Sequence, residues 1–458
     1  MHKCIFFYNF ARWNNQNDCY VKRDILHKLE ELSSAGILDA KDAKREENLH
    51  RLYMYPAMMV PATQSAIVDI IASELGKERW AIDPFMGSGT SLLSCMEYGM
   101  NVYGQDINPM AIMVAKAKTN SYDVSKYLEY LEALKITIQN DNNKDVDISF
   151  QNLDKWFAAP VQEDFSRIRR AIIAIPEKNF RYFFWITMAE AIRICSNDRT
   201  STFKLHRRAQ QELDSRSVDT ITCFLTLCES NIKDLDIFAK KLNVRHLLKD
   251  KNYIGDIDVQ FGNSMRGINT FRKFDMLLSS PPYGDNHTTV TYGQHSYLAL
   301  QWIDSNDIPM NVDYDYLQST QAIDRISLGG KLLGNRRNDI DIFLETIPSL
   351  KAFYDAVPYD ERKKYDKTLS FIMDFDKSIQ MIIPSMRCNA FYVWTIGNRN
   401  VGGRMIPNDL ILKDIMNKYG INLLWQTERK IFNKKQPNKN NFSSTMEKEH
   451  ILIFHNNE

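Results

Sequence analysis

The segment Ser280–Gly284 (SPPYG) combines residue types that can hold an amino group in place. Pro281 and Pro282 lock the backbone and remove two N–H donors, so the carbonyl groups beside them can point outward as fixed acceptors. An amino group donates two hydrogen bonds. The Ser280 side chain and the Pro281 carbonyl could accept both, which would turn the nitrogen lone pair toward an electrophile. Tyr283 offers a flat face on which a planar ring could stack. Alone, the same residues could form a turn without chemical function.

A second segment, Asp83–Thr90 (DPFMGSGT), has the composition of a ligand-binding turn. Gly87 and Gly89 have no Cβ atom, so a ligand could approach the backbone closely there. Ser88 and Thr90 are suited to cap the helix predicted to follow. Because ligands of open α/β sheets bind at the carboxyl ends of strands, a glycine-rich turn after a strand suits a nucleotide-like cofactor. A tight turn that binds nothing is the alternative.

Asp106 favours the cofactor interpretation, because it ends the next predicted strand about twenty residues after the glycines. A carboxylate at that place can accept hydrogen bonds from two ribose hydroxyls. A phosphate-binding loop fits poorly, since such a loop needs a lysine after its last glycine and Thr90 follows Gly89 here. Two motifs of this kind at strand ends predict that the two turns meet across one cleft.

The segments around these residues alternate between predicted strands and helices. Before the middle of the chain they are the strands Trp80–Asp83 and Asn101–Asp106 with the helices Thr90–Tyr98 and one from Pro109. Helical periodicity then dominates residues 120–250, and strands return at Val259–Gly262, Asp275–Ser280, Ala390–Ile396, Ile421–Gln426 and His450–Phe454. The pattern predicts an α/β fold, with one open, mostly parallel sheet, helices on both faces and a mainly helical insertion.

Four regions follow from this pattern, in a chain whose 458 residues exceed one ordinary core. They are an N-terminal extension (1–49), a cofactor-binding half (50–120), a helical insertion (121–250) and a catalytic half (251–458) with a helical elaboration at 300–380. No run of about 18 apolar residues predicts a membrane span, and no signal peptide is evident. The seven cysteines lack paired spacing, which predicts reduced thiols in a cytoplasm and no metal site.

The two turns resemble motifs of the amino-group DNA methyltransferases. DPFMGSGT is similar to their motif I, SPPY to their motif IV, and His50–Pro61 (HRLYMYPAMMVP) to the H…YPA…P segment before motif I. The resemblance implies a Rossmann-like methyltransferase fold and S-adenosylmethionine as cofactor. Gly262-Asn263-Ser264 resembles the family's G-D-S, with Asn263 in place of the acid, which puts a role there in doubt.

The resemblance also implies roles for individual residues. Tyr55, Pro56 and Ala57 would line the methionine side of the cofactor, Asp83 would lie near its amino group, and Gly87 and Gly89 near its sulfonium. Asp106 would bind the ribose, and Ile107 and Asn108 would lie near the adenine. The implied cofactor-binding set is Tyr55, Pro56, Ala57, Asp83, Phe85, Gly87, Ser88, Gly89, Thr90, Asp106, Ile107 and Asn108, and the implied catalytic set is Ser280, Pro281, Pro282 and Tyr283.

The reaction implied is direct methyl transfer to the exocyclic amino group of a base flipped out of double-stranded DNA. The serine form of motif IV is usual in cytosine-N4 enzymes, so we expect cytosine N4, with adenine N6 as the alternative. Cytosine C5 methylation is excluded, because it needs a Pro-Cys turn and no cysteine here follows a proline. Such an enzyme would belong to a restriction–modification or phage-defence system, with a cognate endonuclease as a possible partner. An RNA amino-methyltransferase and an inactive DNA-binding subunit are further alternatives.

Net charge is only +1, so DNA contacts would depend on local basic segments. One such segment lies inside the helical insertion, others follow the strand Ala390–Ile396 or precede the last strand, and a polar loop follows the catalytic turn. Solvated surface is the alternative for each. The candidate contacts are Arg199, Lys204, Arg207, Arg208, His287, Arg399, Arg404, Lys434 and Lys435.

Overall fold

The computed structural model describes residues 16–42, 47–76, 78–286, 289–308, 312–431 and 447–456. Its strands are β1 (Trp80–Asp83), β2 (Asn101–Asp106), β3 (Leu248–Lys249), β4 (Asn252–Tyr253), β5 (Ile257–Phe261), β6 (Phe274–Ser279), β7 (Met386–Ile396), β8 (Arg399–Val401), β9 (Arg404–Ile406), β10 (Ile421–Lys430) and β11 (Lys448–Asn456). Its α-helices are α1 (Gln16–Ser34), α2 (Pro61–Glu74), α3 (Thr90–Met96), α4 (Pro109–Thr119), α5 (Val124–Asn140), α6 (Leu153–Trp156), α7 (Ala159–Ile173), α8 (Lys178–Cys195), α9 (Gln210–Asp214), α10 (Thr220–Val244), α11 (Tyr292–Trp302), α12 (Ala322–Ile326), α13 (Ile340–Glu345), α14 (Pro348–Asp355), α15 (Asp366–Ile382) and α16 (Asn408–Lys418).

The main sheet has the strand order β10-β11-β7-β6-β1-β2-β5. The pairs β7–β6, β6–β1, β1–β2 and β2–β5 are parallel, and β11 runs antiparallel to both β7 and β10. The chain builds outward from β1 to β5 on one side and then returns to place β6 on the other side of β1. The order therefore reverses between β1 and β6, and in open α/β sheets a ligand crevice forms at such a point.

Apolar side chains cover both faces of this sheet, because strand residues alternate between the faces. Ala81 and Met276 pack on one face with helices α1–α5, α7, α8, α10 and α11. Ile82 and Leu277 pack on the other face with helices α13–α16. The predicted α/β fold, a mostly parallel sheet between two helical layers with a largely helical segment between β2 and β5, is confirmed.

Local sequence signals explain where several helices begin. Asn108 caps α4 by accepting the backbone N–H of Met110, and Pro109 occupies the first helical position, where its missing N–H costs nothing. The prediction that Ser88 and Thr90 cap α3 is wrong. Gly89, in the left-handed conformation (φ 75°), precedes α3, and no side chain caps it.

Two segments that carry candidate DNA contacts have defined neighbours in the fold. Residues after β7 form the hairpin β8–β9, whose turn places Gly402 and Gly403 at φ of 58° and 84°. Those positive angles favour glycine, so the hairpin follows from its sequence. The polar segment after the Pro-Pro turn ends at Thr291, because α11 begins at Tyr292.

Candidate active site

A cavity opens at the carboxyl ends of the central strands. Its wall brings together the segment before α2, the glycine turn after β1, the end of β2, the residues after β5, the Pro-Pro turn after β6 and residues around α11 and α12. The lining residues that sequence analysis predicted are Tyr55, Pro56, Ala57, Phe85, Gly87, Ser88, Thr90, Asp106, Ile107, Asn108, Ser280 and Pro282. The two turns thus face one cavity. Asp83, Gly89, Pro281 and Tyr283 do not line it.

Asp83 joins the two turns instead of facing the cavity. Its side chain is 1% exposed. Its Oδ1 accepts hydrogen bonds from Ser279 Oγ at 2.6 Å and from the Phe85 N–H at 3.0 Å, and its Oδ2 accepts one from Ser91 Oγ. Burial raises the pKa of Asp83 to about 6, although these donors oppose the rise. The last residues of β1 and β6 are therefore tied by one carboxylate, and the predicted contact of Asp83 with a cofactor amino group stays a prediction.

Asp106 lines the cavity and holds the glycine turn. Its Oδ2 accepts the Gly87 N–H at 2.9 Å, and its Oδ1 accepts the Asn108 N–H at 2.8 Å. Burial raises the pKa of this carboxyl to about 6. Gly87 has a φ of 49°, and a Cβ there would lie 3.2 Å from Cε1 of Tyr55. The absence of a side chain at Gly87 therefore keeps the cradle between the turn and Tyr55 open.

Tyr55 and Asn108 shape the wall beside this cradle. The Asn108 Nδ2 donates to the Tyr55 hydroxyl at 3.1 Å and to Ser296 Oγ at 3.0 Å. Since Asn108 Oδ1 caps α4, its polar atoms already have protein partners. The Tyr55 ring lies 5.7 Å from the ring of Tyr292, which also lines the cavity. Asn108 therefore fixes the position of Tyr55, and its predicted place near an adenine stays untested.

The Ser280 hydroxyl lies 3.1 Å from the Tyr283 hydroxyl, which donates to Glu449 Oε1 at 3.1 Å. The Tyr283 carbonyl accepts a hydrogen bond from Asn408 Nδ2 at 3.1 Å. The ring packs against the apolar cluster of the second sheet face, and burial holds the pKa of its hydroxyl well above the ordinary value. Tyr283 thus supports Ser280 from behind the wall, and its predicted use as a stacking surface stays untested.

Sequence reasoning missed a polar pair on the cavity wall, Asn286 and Asp324. Asn286 is 2% exposed, lines the cavity and hydrogen bonds with its side chain to Asp324. Burial raises the pKa of Asp324 to about 6. Because a carboxylate only accepts, the Asn286 Nδ2 donates to it, and Oδ1 has no partner among the described residues. An unsatisfied acceptor on this wall suits a ligand N–H.

The basic segment of the helical region forms a hairpin beside this site. A β-bridge joins Asp198 to Arg207, and the Leu205 N–H donates to Gln294 Oε1 of α11 at 3.2 Å. Arg199 and Lys204 are exposed. Arg207 donates to the Lys155 carbonyl and to Gln210, and Arg208 is bound to Glu212. Only the exposed pair is thus free of described side-chain partners.

The remaining candidate cations differ in their surroundings. Arg399 lies 3.4 Å from Asp285 Oδ2, with 15% of its side chain exposed, so it braces the loop after the Pro-Pro turn. Arg404 is 40% exposed and 4.0 Å from Glu361. His287, Lys434 and Lys435 lie outside the described residues.

Among the described residues, no three or more His, Cys, Asp or Glu side chains form a group that could hold a metal ion. None of the described helices combines the length and the hydrophobicity that a bilayer crossing requires.

A sheet of this order, with a glycine-rich turn, an acidic strand end and a Ser-Pro-Pro-Tyr turn around one cavity, defines a Rossmann-like methyltransferase. The chain is 32% identical over 430 residues to the type II methyltransferase M.MvaI of Kocuria varians, which covers 90% of this chain and 92% of that protein. It therefore belongs to the type II methyltransferase family.

A second relative matches a shorter part of the chain. The type II methyltransferase M.MjaII of Methanocaldococcus jannaschii is 30% identical over 115 residues, which is 25% of this chain and 21% of that protein. Among solved structures, the rRNA methyltransferase aviRa from Streptomyces viridochromogenes has a TM-score of 0.30 and 7% identity, over 90% of this chain and 93% of that one; a likeness so small supports no conclusion. No protein-family profile matches the chain.

Proposed function

We propose that the protein is a site-specific DNA methyltransferase that transfers a methyl group from S-adenosylmethionine to an exocyclic amino group of a base, with cytosine N4 as the target. The observation that carries this proposal is the single cavity lined by both Gly87 and Ser280. The type II relatives support DNA as the substrate. A restriction–modification or phage-defence system in the cytoplasm, with a cognate endonuclease, is the setting this proposal implies.

The residues present fit S-adenosylmethionine. Gly87 leaves an open cradle beside Tyr55, and the Asp106 carboxylate stands on the cavity wall where it would accept bonds from ribose hydroxyls. Phe85 and Tyr55 supply apolar wall for the rest of the molecule. When bound, the cofactor supplies an electrophilic methyl group on a sulfonium.

The residues of this chain would act by positioning. Ser280 and one backbone carbonyl of the Pro-Pro turn, of which Pro282 lines the cavity, would accept the two N–H bonds of the amino group, so that the nitrogen lone pair faces the cofactor side of the cavity. Holding two reactants in such an arrangement can supply about 7–11 kcal/mol of the barrier reduction. Asn286 Oδ1 would give the base edge a further acceptor.

Adenine N6 is the second candidate target. Adenine and cytosine both present an exocyclic amino group, and a wall of hydrogen-bond acceptors accepts either. The serine at position 280 is the feature that favours cytosine.

The test is methyl transfer from labelled S-adenosylmethionine to unmethylated plasmid DNA and, in parallel, to total tRNA. Digestion of the product to nucleosides identifies the base. We expect N4-methylcytosine in DNA; N6-methyladenine would change the target, transfer to tRNA alone would change the substrate, and no transfer to any duplex would refute the proposal.

Ser280→Ala should reduce transfer by a factor of about a hundred or more while the cofactor Kd changes less than about twofold, because Ser280 contacts the amino group and not the cofactor. Ser217→Ala, at an exposed serine, is the matched control. An equal loss of cofactor binding in Ser280→Ala would contradict the assigned role.

A further inference from the structure

Four side chains form a continuous hydrogen-bonded chain behind the Pro-Pro turn. Arg429 donates to Glu449 Oε2 at 2.5 Å, Tyr283 donates to Glu449 Oε1 at 3.1 Å, and the Tyr283 and Ser280 hydroxyls lie 3.1 Å apart. Arg429 and Glu449 are directly opposed in the β10–β11 ladder. Because β11 runs antiparallel, its first residues lie at the sheet edge where β6 and β7 end, and this brings Glu449 to the active site.

The residue types in this hydrogen-bonded series determine which group donates in each of its hydrogen bonds. Arginine only donates and a carboxylate only accepts, so the single Tyr283 proton must point at Glu449. The Tyr283 oxygen then accepts the proton of Ser280, since its own proton is used. Both lone pairs of the Ser280 oxygen are left for the cavity that Ser280 lines.

We propose that Glu449 is a positioning residue which, through Tyr283, holds Ser280 as a hydrogen-bond acceptor for the substrate amino group. This inference rests on the proposed function and names the means by which Ser280 performs it. Without Glu449, Tyr283 could donate to Ser280, and the serine could then turn its proton toward the cavity. A hydroxyl that donates opposes the N–H bonds of the substrate.

The Arg429–Glu449 ion pair is largely buried, with side chains that are 6% and 15% exposed. Withdrawing both charges from water opposes folding, so stability alone does not explain the pair. Glu428, which directly precedes Arg429 in β10, pairs instead with Lys448 at 2.6 Å, and these side chains are 49% and 56% exposed. The same pair of strands therefore holds a largely buried carboxylate hydrogen-bonded toward the site and an exposed one for comparison.

The experiment compares Glu449→Gln with Glu428→Gln, each in the wild-type and the Ser280→Ala background. Glutamine has the shape of glutamate but can donate as well as accept hydrogen bonds, so it no longer fixes the direction of the Tyr283–Ser280 hydrogen bond. We expect Glu449→Gln to lower kcat by about tenfold or more, with the cofactor Kd near the wild-type value, and Glu428→Gln to have little effect. Because Glu449→Gln leaves the Arg429 charge without its partner, its melting temperature should fall, and kcat is compared at a temperature at which circular dichroism shows every variant folded. In the Ser280→Ala background, Glu449→Gln should cause no further loss.

A second cycle uses Tyr283→Phe, alone and combined with Glu449→Gln. Because both changes disrupt the same series of hydrogen bonds, the double variant should be no slower than the slower single variant. Losses that multiply in this cycle, an equal loss in the Ser280→Ala background, or unchanged kcat in Glu449→Gln would overturn the inference. Wild-type protein that methylates no duplex would instead refute the proposed function, so the two failures are distinguishable.

Discussion

At the scale of single residues, two acidic side chains at the ends of neighbouring strands have the same raised pKa but different surroundings. Asp83 is surrounded by protein donors and joins β1 to β6, whereas Asp106 holds the glycine turn and also reaches the cavity. Burial raises the pKa of each to about 6, because a carboxylate loses hydration that its hydrogen bonds only partly replace. Both should therefore titrate near pH 6.

For Asp106, we expect cofactor binding to weaken as pH falls through about 6. The charged carboxylate can accept two ribose hydroxyls, and the protonated form must give one of these bonds up. Calorimetric Kd values between pH 5 and 8 should rise on the acid side in the wild type, and Asp106→Asn should bind weakly with a flatter profile. Asp236→Asn, on the exposed face of α10, is the control. A wild-type Kd that is constant over this range would refute the assignment.

For Asp83, the prediction concerns stability. Between pH about 4 and 6 the folded protein holds a proton that the unfolded chain has released, so the stability from this group is lost as pH rises through that window. The Ser279 hydroxyl partly offsets this loss by favouring the charged form. Ser279→Ala should therefore destabilise by about 1–3 kcal/mol at pH 7.5 and by less at pH 5, as measured by urea unfolding. A larger cost at pH 5 would contradict this account.

Asn286 gives a prediction about the substrate. Asn286 lines the cavity, and its Oδ1 is buried without a described partner, since Asp324 binds its Nδ2. If Oδ1 accepts a base N–H, Asn286→Ala should slow single-turnover methyl transfer by up to about tenfold and leave the cofactor Kd unchanged. Asn142→Ala, at an exposed position, is the control. An unchanged transfer rate would remove Asn286 from the proposed site.

At the scale of elements, the hairpin around the Asp198–Arg207 bridge packs on α11, beside the cavity. Its exposed cations are Arg199 and Lys204. Replacing both with alanine should weaken DNA binding and reduce the slope of log K against log salt by about 0.9 for each phosphate that is no longer neutralised. Fluorescence anisotropy over a salt series measures this slope. The control replaces the exposed Lys144 and Lys240; an equal effect there would show general rather than local attraction.

Sequence patterns located elements well where local chemistry defines them. β2 was predicted with its observed bounds, and α4 begins at the predicted Pro109, since an asparagine cap and a proline specify that start. The helix α8 (Lys178–Cys195) lies within the region 121–250 that was predicted to be helical, but its own bounds were not predicted, because most of its side chains are buried. Buried helices of this kind lack the polar face by which periodicity is recognised.

The residues of the candidate site also differ in how far the sequence predicts them. Gly87, Asp106 and Ser280 were predicted from short motifs, because each sits in a turn or strand end that its neighbours specify. Glu449 could not be predicted in this way. It is 166 residues from Tyr283 and contacts it only because β11 lies next to β7, and β7 next to β6, in the sheet. Contacts that depend on strand order are not encoded in any local pattern.

At the scale of the whole molecule, one apolar cluster extends from the first face of the sheet through the helices between β2 and β5. Trp185 of α8 lies in it, fully buried, and donates to Asp307 at 2.7 Å. Trp185→Ala should cost about 3–5 kcal/mol, and loss of helix and loss of cofactor binding should coincide in one unfolding transition. Ile237→Ala, at an exposed position of α10, should leave the transition unchanged. Two separate transitions would show that the helical segment unfolds independently.

The placement of β6 between β1 and β7 has a consequence for biosynthesis. The Asp83 and Ser279 side chains that meet at the sheet centre are 196 residues apart. A ribosome adding about 5–20 residues per second needs on the order of 10–40 seconds to cover that distance. During that interval the apolar strand β1 has a free edge, which is the kind of surface that aggregates with other chains. Nascent copies of this enzyme are therefore candidates for chaperone protection until β6 emerges and closes the gap.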